Sequence, residues 1–209
     1  MIVDFMKLQR DENGCRRLII DWLLADNQRM HALQVAEQMQ LNDWMLAAGF
    51  VRNLVWDKLH GLQTPLNDID LIYFDLSDIT VERDKAIEAE LKRIAPRLPW
   101  SVKNQARMHL RNGHSQYQSS VDAMSYWPEV QTAVAVSCQS GVLADVESNA
   151  IKELNLTHKL TLHTPFSLTC LFEFAIKHNS KAAYELFEQR VKNKRWLQTY
   201  PKLRDNKNW

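Results

Sequence analysis

Residues 64–75 read TPLNDIDLIYFD, and this stretch decides the fold. Turn residues at 64–67 lead into an apolar run rich in β-forming side chains, which predicts a buried strand from Ile69 to Phe74. Alternate residues of a strand share one face at a spacing of about 6.5–7 Å. Asp68 and Asp70 are therefore predicted to project to the same side at the mouth of this strand, while Ile69 faces the core. Two carboxylates in this arrangement can bind Mg²⁺ or Mn²⁺ and leave positions for water and phosphate oxygens.

A second signal lies just upstream, where a short apolar run at 44–48 predicts a buried strand that ends at Gly49. The pattern at 51–59 then predicts a helix. A helix that begins just after Gly49 directs free backbone N–H groups and the positive end of its dipole toward an anion. Gly49 lets the backbone approach closely, and Arg52 and Asn53 can add phosphate contacts. The alternatives are a simple strand-exit glycine and a helix-surface arginine.

Residues 100–108 predict a further strand, which would place Lys103, Gln105 and Arg107 on one face. Two cations and an amide on one strand face suit phosphate or another acidic group. Lys103, Asn104 and Arg107 are therefore candidate nucleotide contacts. The alternative is an exposed edge strand whose charges protect it against aggregation.

The order of the remaining elements predicts a mixed α/β sheet with flanking helices. The N-terminal part is predicted to form a helical hairpin, made of a helix at 16–24 and a second helix capped by Asp26-Asn27. Further helices are predicted at 80–95, from Ser120 (a short one), and from about Pro165 and Ser180. A β-hairpin is predicted with strands at 132–136 and 142–146 and its turn at 139–141. We expect one domain over residues 1–209, with an N-terminal helical extension (1–43), a core sheet (44–150) and a C-terminal helical part (151–209).

Composition bounds the class of protein. With 45% hydrophobic and 24% charged residues, the chain has the composition of a globular domain. Its net charge of +1 gives no general attraction to nucleic acid or to an anionic membrane. The basic segment 190–195 is either a solvated helix surface or a site that docks on RNA. Three widely spaced cysteines, no indicated signal peptide and no apolar run long enough for a bilayer predict a cytoplasmic location.

Three stretches, 47–53, 64–75 and 100–109, together resemble a bacterial group of uncharacterised nucleotidyltransferase-like proteins within the polymerase-β-like nucleotidyltransferase superfamily. The similarity covers about residues 44–170. It implies a phosphate loop at Gly49, metal-binding carboxylates at Asp68 and Asp70, and transfer of a nucleoside monophosphate from an NTP to an acceptor. The chain departs from that pattern in two places.

The first departure is Gly49-Phe50, where the superfamily usually has Gly-Ser. The second is the third carboxylate, which the superfamily carries on a later strand, because residues 103–107 contain no acid. Asp122 and Asp145 are the candidates for that role. Two hypotheses follow: a Mg²⁺- or Mn²⁺-dependent nucleotidyltransferase with Asp68 and Asp70 as catalytic metal ligands, or a nucleotide- or metal-binding module of the same fold without turnover. The acceptor stays open under both.

Overall fold

A five-stranded mixed sheet is the centre of the computed structural model, which describes residues 11–142 and 156–205. The strand order is β3-β2-β1-β4-β5. Strands β2 and β3 are parallel, and the other neighbours are antiparallel. The strands are β1 (Met45–Ala47), β2 (Ile69–Tyr73), β3 (Trp100–Asn104), β4 (Ala135–Val142) and β5 (Leu156–His163). The expectation of a mixed α/β sheet is confirmed.

Helices flank this sheet along the chain. They are α1 (Glu12–Leu24), α2 (Asn27–Glu37), α3 (Gly49–His60), α4 (Val81–Ile94), α5 (Met108–Asn112), α6 (Ser120–Met124), α7 (Tyr184–Lys194) and α8 (Trp196–Thr199). Single 3₁₀ turns occupy Gln105–Arg107, Val130–Thr132 and Leu168–Phe172. Two short parallel strands, β6 (Ala175–Ile176) and β7 (Arg204–Asp205), form a separate small sheet. None of the helices within the described ranges has the length and apolar character that crossing a bilayer requires.

The N-terminal hairpin forms where the sequence predicts it, because an aspartate caps each of its helices. The Asp11 carboxylate accepts from the backbone N–H of Gly14 at 3.1 Å, and that of Asp26 accepts from Arg29 N–H at 3.0 Å. Apolar side chains of both helices, such as Ile19 and Leu33, are fully buried against one face of the sheet. The hairpin is therefore part of the main core.

Both faces of the central strands are covered. Leu46, Ile69 and Leu71 pack into the main core below the helices. Met45 and Ile72 point to the other face, where they pack against Met124 and other buried residues. Burial on both sides explains why these strands read as continuous apolar runs.

The strand predicted over 100–108 is shorter than expected, since it ends at Asn104. The fully buried Asn104 side chain accepts from Ala106 N–H at 3.0 Å and donates to the Asp75 carbonyl at 2.7 Å. These bonds turn the chain into the 3₁₀ turn Gln105–Arg107. The expectation that Lys103 and Arg107 share one strand face is therefore wrong.

The predicted hairpin at 132–146 is also wrong in its described part. Residues 139–141, expected to form the turn, lie inside β4 and pair with β5, for example Gln139 with Lys159. Residues 130–132 form a 3₁₀ turn, and the predicted second strand extends past Val142 beyond the described residues. Strand β5 lies in the part 151–209 that was expected to be helical. Pairing between distant strands outweighs the local turn preference of Ser140-Gly141.

The C-terminal helices also differ from the prediction. The segment after Pro165 forms only the 3₁₀ turn Leu168–Phe172, and Phe174 then adopts a positive φ of 53° that cannot continue a helix. The second predicted helix begins at Tyr184, a few residues after Ser180. Whether residues 1–209 act as one domain stays a prediction.

Candidate functional site

Asp68 and Asp70 line a cavity of about 280 Å³ together with the start of α3, the loop at 64–67 and helices α7 and α8. Strand pairing places Asp70 opposite Ala47, the last residue of β1. The β1–α3 junction therefore faces the two carboxylates across the same opening. Within the described ranges neither carboxylate forms a salt bridge with arginine or lysine. Both acids remain available to a ligand in the cavity.

The surroundings of the Asp70 carboxylate shift its pKa upward. Burial raises the pKa of this carboxyl, and the negative charge of Asp68 raises it further. Lys103, a hydrogen bond from Ser101 and the charge of Lys194 act in the opposite direction. Two crowded carboxylates of this kind are hard oxygen donors whose mutual repulsion a divalent cation would relieve.

The start of α3 presents uncapped backbone to the cavity. No side chain caps this helix, and both Ala48 and Gly49 line the cavity. Ala48 has φ 58° and ψ −119°, a conformation that side chains other than glycine rarely adopt. A Cβ atom added at Gly49 would lie 3.2 Å from Asn53 Nδ2 and 3.5 Å from Arg52 Nη2. Phe50, which replaces the hydroxyl residue of the superfamily pattern, is fully buried in the core.

Arg52 is buried, with 5% of the residue exposed, yet it borders the cavity. Its Nη1 donates to Thr132 Oγ1 at 2.6 Å and its Nη2 to Asn53 Oδ1 at 2.9 Å. The guanidinium carbon lies 5.0 Å from the ring of Trp56 and 4.5 Å from that of Trp196. Burial lowers the pKa of Arg52 to about 10, so the side chain stays charged at neutral pH. The cation is held rigidly beside the cavity, where Asp70 and Glu129 favour its charge.

The C-terminal helices supply residues that local sequence patterns did not assign to the site: Arg190, Lys194, Trp196 and Tyr200. Arg190 donates through Nε and Nη2 to the buried Glu129 carboxylate at 2.6 and 3.2 Å. The only signal in the sequence was the basic segment 190–195, interpreted as a solvated surface or an RNA-docking site.

The buried carboxylate of Asp57 connects α3 to the C-terminal wall of the cavity, which residues 190–200 form. Asp57 accepts from the Tyr200 hydroxyl at 3.0 Å and from the backbone and hydroxyl of Thr64 at 2.9 and 3.0 Å. Burial raises the pKa of Tyr200 to about 12. Tyr200 is thus a neutral donor at neutral pH, and it links the C-terminal segment to the loop that carries Asp68.

Strand β3 adds two residues beside Asp70. Ser101 pairs with Asp70 across the parallel strands, and its hydroxyl lowers the pKa of the Asp70 carboxyl. Lys103, two residues along the same strand face, donates to Ser101 Oγ at 3.1 Å. Ser101 was missed by the sequence analysis, whereas Lys103 was among the candidates. Both groups are hydrogen-bond donors at this position.

The remaining candidates lie away from the cavity. Asn104 is buried in the turn after β3, and Arg107 forms an ion pair with the buried Asp84 carboxylate. The Asp122 carboxylate accepts from Gln118 N–H at 2.9 Å and does not line the cavity. Asp145 lies outside the described residues. No group of three or more histidine, cysteine or acidic side chains able to hold a metal occurs within residues 11–142 and 156–205.

The sheet and the cavity together define a nucleotidyltransferase-like protein, and comparison with a solved structure agrees. An NMR structure described as revealing a CCA-adding enzyme head domain matches with a TM-score of 0.73 and 28% sequence identity. The match covers 96% of this chain and 100% of the other. A nucleotidyltransferase family model matches residues 34–204, and the chain belongs to this family. A comparison with curated proteins gives no match.

Proposed function

We propose that this protein transfers a nucleoside monophosphate from an NTP to an acceptor, and that Asp68 and Asp70 bind the divalent metal ion. One observation carries the proposal. The two carboxylates line the same cavity as the uncapped start of α3 at Gly49. A metal-binding acid pair that faces an anion-binding helix end is an arrangement suited to a triphosphate and its metal ion. The family match supports the same class of reaction.

The donor set fits Mg²⁺ or Mn²⁺. Mg²⁺ is usually bound by one or two protein carboxylates together with substrate phosphates and water, so two aspartates suffice. Asp70 is raised in pKa by burial and by Asp68, and a bound cation would favour its ionised form. When bound, the metal ion would offset the negative charge that develops on the transferring phosphoryl group and on the leaving pyrophosphate.

The protein's own groups would hold the triphosphate. The backbone N–H of Gly49, at the uncapped start of α3, can donate to a phosphate, and Arg52 and Asn53 border the same opening. Arg190 and Lys194 approach from the C-terminal helices. We assign the neutralisation of the leaving pyrophosphate to Arg190 and Lys194, in place of Lys103 and Arg107, which the sequence analysis gave as candidate nucleotide contacts. Arg107 pairs with Asp84 outside the cavity, whereas Lys194 and the Glu129-paired Arg190 line it.

A second candidate function is a binding module of the same fold that holds nucleotide and metal without turnover. Ser101 and Lys103 favour it, because the strand beside Asp70 offers two donors. Neither group accepts a proton readily from an acceptor hydroxyl at neutral pH. Pyrophosphate release separates the two functions, since only the enzyme produces it.

A thermal-shift experiment with each of the four NTPs and Mg²⁺ or Mn²⁺ tests the proposed site. A ligand present at 100 times its Kd adds about 2.7 kcal/mol to the free energy of unfolding. For a chain of this size that corresponds to a rise in Tm of roughly 5–10 °C. The double substitution Asp68→Asn and Asp70→Asn removes both metal ligands and should abolish the metal-dependent part of the rise.

The matched control neutralises two exposed carboxylates elsewhere, Asp21→Asn with Glu82→Gln. It should respond to NTP and metal as the wild type does. An equal response in the Asp68 and Asp70 double variant would show that the metal lies elsewhere. A response to NTP and metal without pyrophosphate release, across a range of acceptors, would favour the binding module.

A further inference from the structure

A second groove lies beside the edge strand β3. It has a volume of about 510 Å³ and includes Ile79, Val81, Lys103, Arg107, Leu110 and Arg111. We call it the β3 groove. Lys103 belongs to this groove, and its Nζ donates to Ser101 Oγ at 3.1 Å. Ser101 in turn lies opposite Asp70 in the pairing of β2 with β3. Lys103 and Ser101 therefore lie between the groove and the proposed metal site.

The charges in the β3 groove favour an anion. It contains three cations, and among residues 11–142 and 156–205 only Arg107 has a salt-bridged carboxylate partner, Asp84. The Nη1 atom of Arg107 is buried and has no hydrogen-bond partner among the described residues. A buried donor without a partner is costly, and an acceptor that enters beside Arg107 would lower this cost only if the side chain shifts. Arg111 is exposed on α5. Together with Lys103 it gives the groove an excess of positive charge.

The same groove exposes apolar surface. Leu110 is 68% exposed, Val81 45% and Ile79 39%. These side chains are aliphatic and provide no flat ring on which nucleic-acid bases stack. Cations next to exposed aliphatic side chains suit a small amphiphilic anion better than a polynucleotide.

We propose that the β3 groove binds the acceptor and that this acceptor carries a phosphate monoester, with Lys103 and Arg111 contacting its phosphate. This inference rests on the proposed nucleotidyl transfer and names its acceptor class. An acceptor hydroxyl must lose a proton during attack, and Ser101 and Lys103 present donors toward this side of Asp70. An oxygen of a phosphate monoester dianion already carries negative charge, so it needs donors and not a base.

The reaction balances without proton transfer. An oxygen of the monoester attacks the α-phosphorus of the NTP and forms a new P–O–P bond. The bond between the α-phosphorus and the oxygen that bridges to the β-phosphate breaks, and pyrophosphate leaves with that electron pair. The acceptor dianion and the NTP tetra-anion yield a nucleoside diphosphate ester with two negative charges and pyrophosphate with four.

A binding experiment without nucleotide tests the groove directly. Inorganic phosphate, hexyl phosphate, hexanoate and hexanol are titrated by calorimetry. Hexyl phosphate should bind more tightly than hexanol, because only the former pairs with the cations. Arg111→Ala and Lys103→Ala should each weaken hexyl phosphate about tenfold, the usual effect of losing a charged hydrogen bond. Arg111 is exposed, so its variant should fold normally.

Matched controls locate the bound phosphate. Lys85→Ala and Arg97→Ala remove exposed cations outside the groove and should leave the affinity unchanged. A loss in Arg190→Ala without a loss in Lys103→Ala would place the phosphate in the cavity and overturn the proposal. Equal binding of hexyl phosphate and hexanol would also overturn it, and tighter binding of hexanoate would change the acceptor class to a carboxylate.

The hexyl phosphate titration and the NTP thermal shift can fail independently of each other. The double variant of Asp68 and Asp70 should keep its hexyl phosphate affinity and lose its metal-dependent response to NTP. If the NTP response is absent in the wild type while the groove binds phosphate, the proposed function fails and the anion site stands. Incorporation of α-labelled NTP at the 3′-hydroxyl of an RNA oligonucleotide, with no labelled hexyl phosphate product, would overturn the acceptor assignment.

Discussion

Asp70 lowers the stability of the ligand-free fold, and it is also one of the two proposed metal ligands. It is half-buried beside Asp68, and both burial and that neighbouring charge raise the pKa of its carboxyl above the ordinary value of 3.8. A group that ionises with difficulty in the folded protein favours proton binding by the native state. The free protein is therefore destabilised by this residue once the carboxyl ionises.

The sign of the pH dependence follows from this shift. Because the native pKa exceeds the unfolded value, the Asp70 contribution to stability falls as pH rises from about 4 through the native pKa. We predict that metal-free Asp70→Asn gains stability over the wild type as pH increases through this window. Urea unfolding in the presence of a chelator, at pH values from about 4 to about 7, measures the difference. The Asp21→Asn control should follow the wild type, and a constant difference between wild type and Asp70→Asn would contradict the prediction.

At the scale of single residues, the sequence predicts which side chains share a strand face, but it does not predict where a turn ends the strand. Asp68 and Asp70 could be found because a strand period places them on one face. Arg107 was assigned to the same site because the strand was extended past Asn104. The side chain of Asn104 ends that strand through bonds to Ala106 and Asp75, and the Asp75 partner lies far away in sequence.

At the scale of the element, the start of α3 is the most constrained junction. Ala48 holds a positive φ, and Gly49 leaves no room for a side chain without displacing Asn53. The carbonyl of Ala48 accepts from Arg52 N–H at 3.0 Å, so the helix is well formed from its first turn. The geometry keeps the backbone of Gly49 open to the cavity.

We predict that Gly49→Ala separates stability from binding. Alanine favours a helix interior over glycine by about 0.8–1.0 kcal/mol, and at the first residue of α3 a part of this gain offsets the 3.2 Å contact with Asn53 Nδ2. The free energy of unfolding should therefore stay within about 1 kcal/mol of the wild type, while the Tm rise with NTP and metal should shrink. Denaturant unfolding and the thermal-shift titration measure the two quantities. An unchanged NTP response would argue against phosphate contact at this residue.

The sheet shows why element order is only partly readable from one sequence. Strands β1 and β2 and helix α3 were predicted because their apolar periods are strong and their boundaries carry turn or capping residues. The pairing of β4 with β5 was not predicted, because β5 follows β4 only after a long stretch of chain. Local sequence patterns do not show which strand such a distant segment pairs with. Local turn signals at 139–141 then gave the wrong hairpin.

At the scale of the whole molecule, the cavity is built by parts of the chain that are far apart in sequence. The acids come from 68–70, the helix end from 48–49, and the opposite wall from 190–200. Local periodicity cannot reveal such a contact, so Arg190 and Trp196 were beyond the reach of sequence reasoning. The basic segment 190–195 was interpreted as a solvated helix surface or an RNA-docking site, and neither interpretation predicted a wall of this cavity.

The attachment of the C-terminal wall to α3 can be tested by removing a single hydroxyl group. Tyr200→Phe removes the hydroxyl that donates to the buried Asp57 carboxylate at 3.0 Å. We predict a loss of about 1.5–3 kcal/mol in the free energy of unfolding, the usual contribution of a hydrogen bond to a charged group. Denaturant unfolding measures it. Tyr184→Phe on the exposed start of α7 is the matched control and should cost less than about 0.5 kcal/mol.

The origin of the cavity walls has a consequence for protein synthesis. A growing chain exposes Asp68 and Asp70 long before Arg190 and Trp196 leave the ribosome. Until α7 and α8 dock, the acid pair faces open water without the cations and aromatic rings of the opposite wall. Nascent chains that stop before these helices would therefore carry the proposed metal ligands without the wall formed by 190–200, so the cavity is completed late in translation.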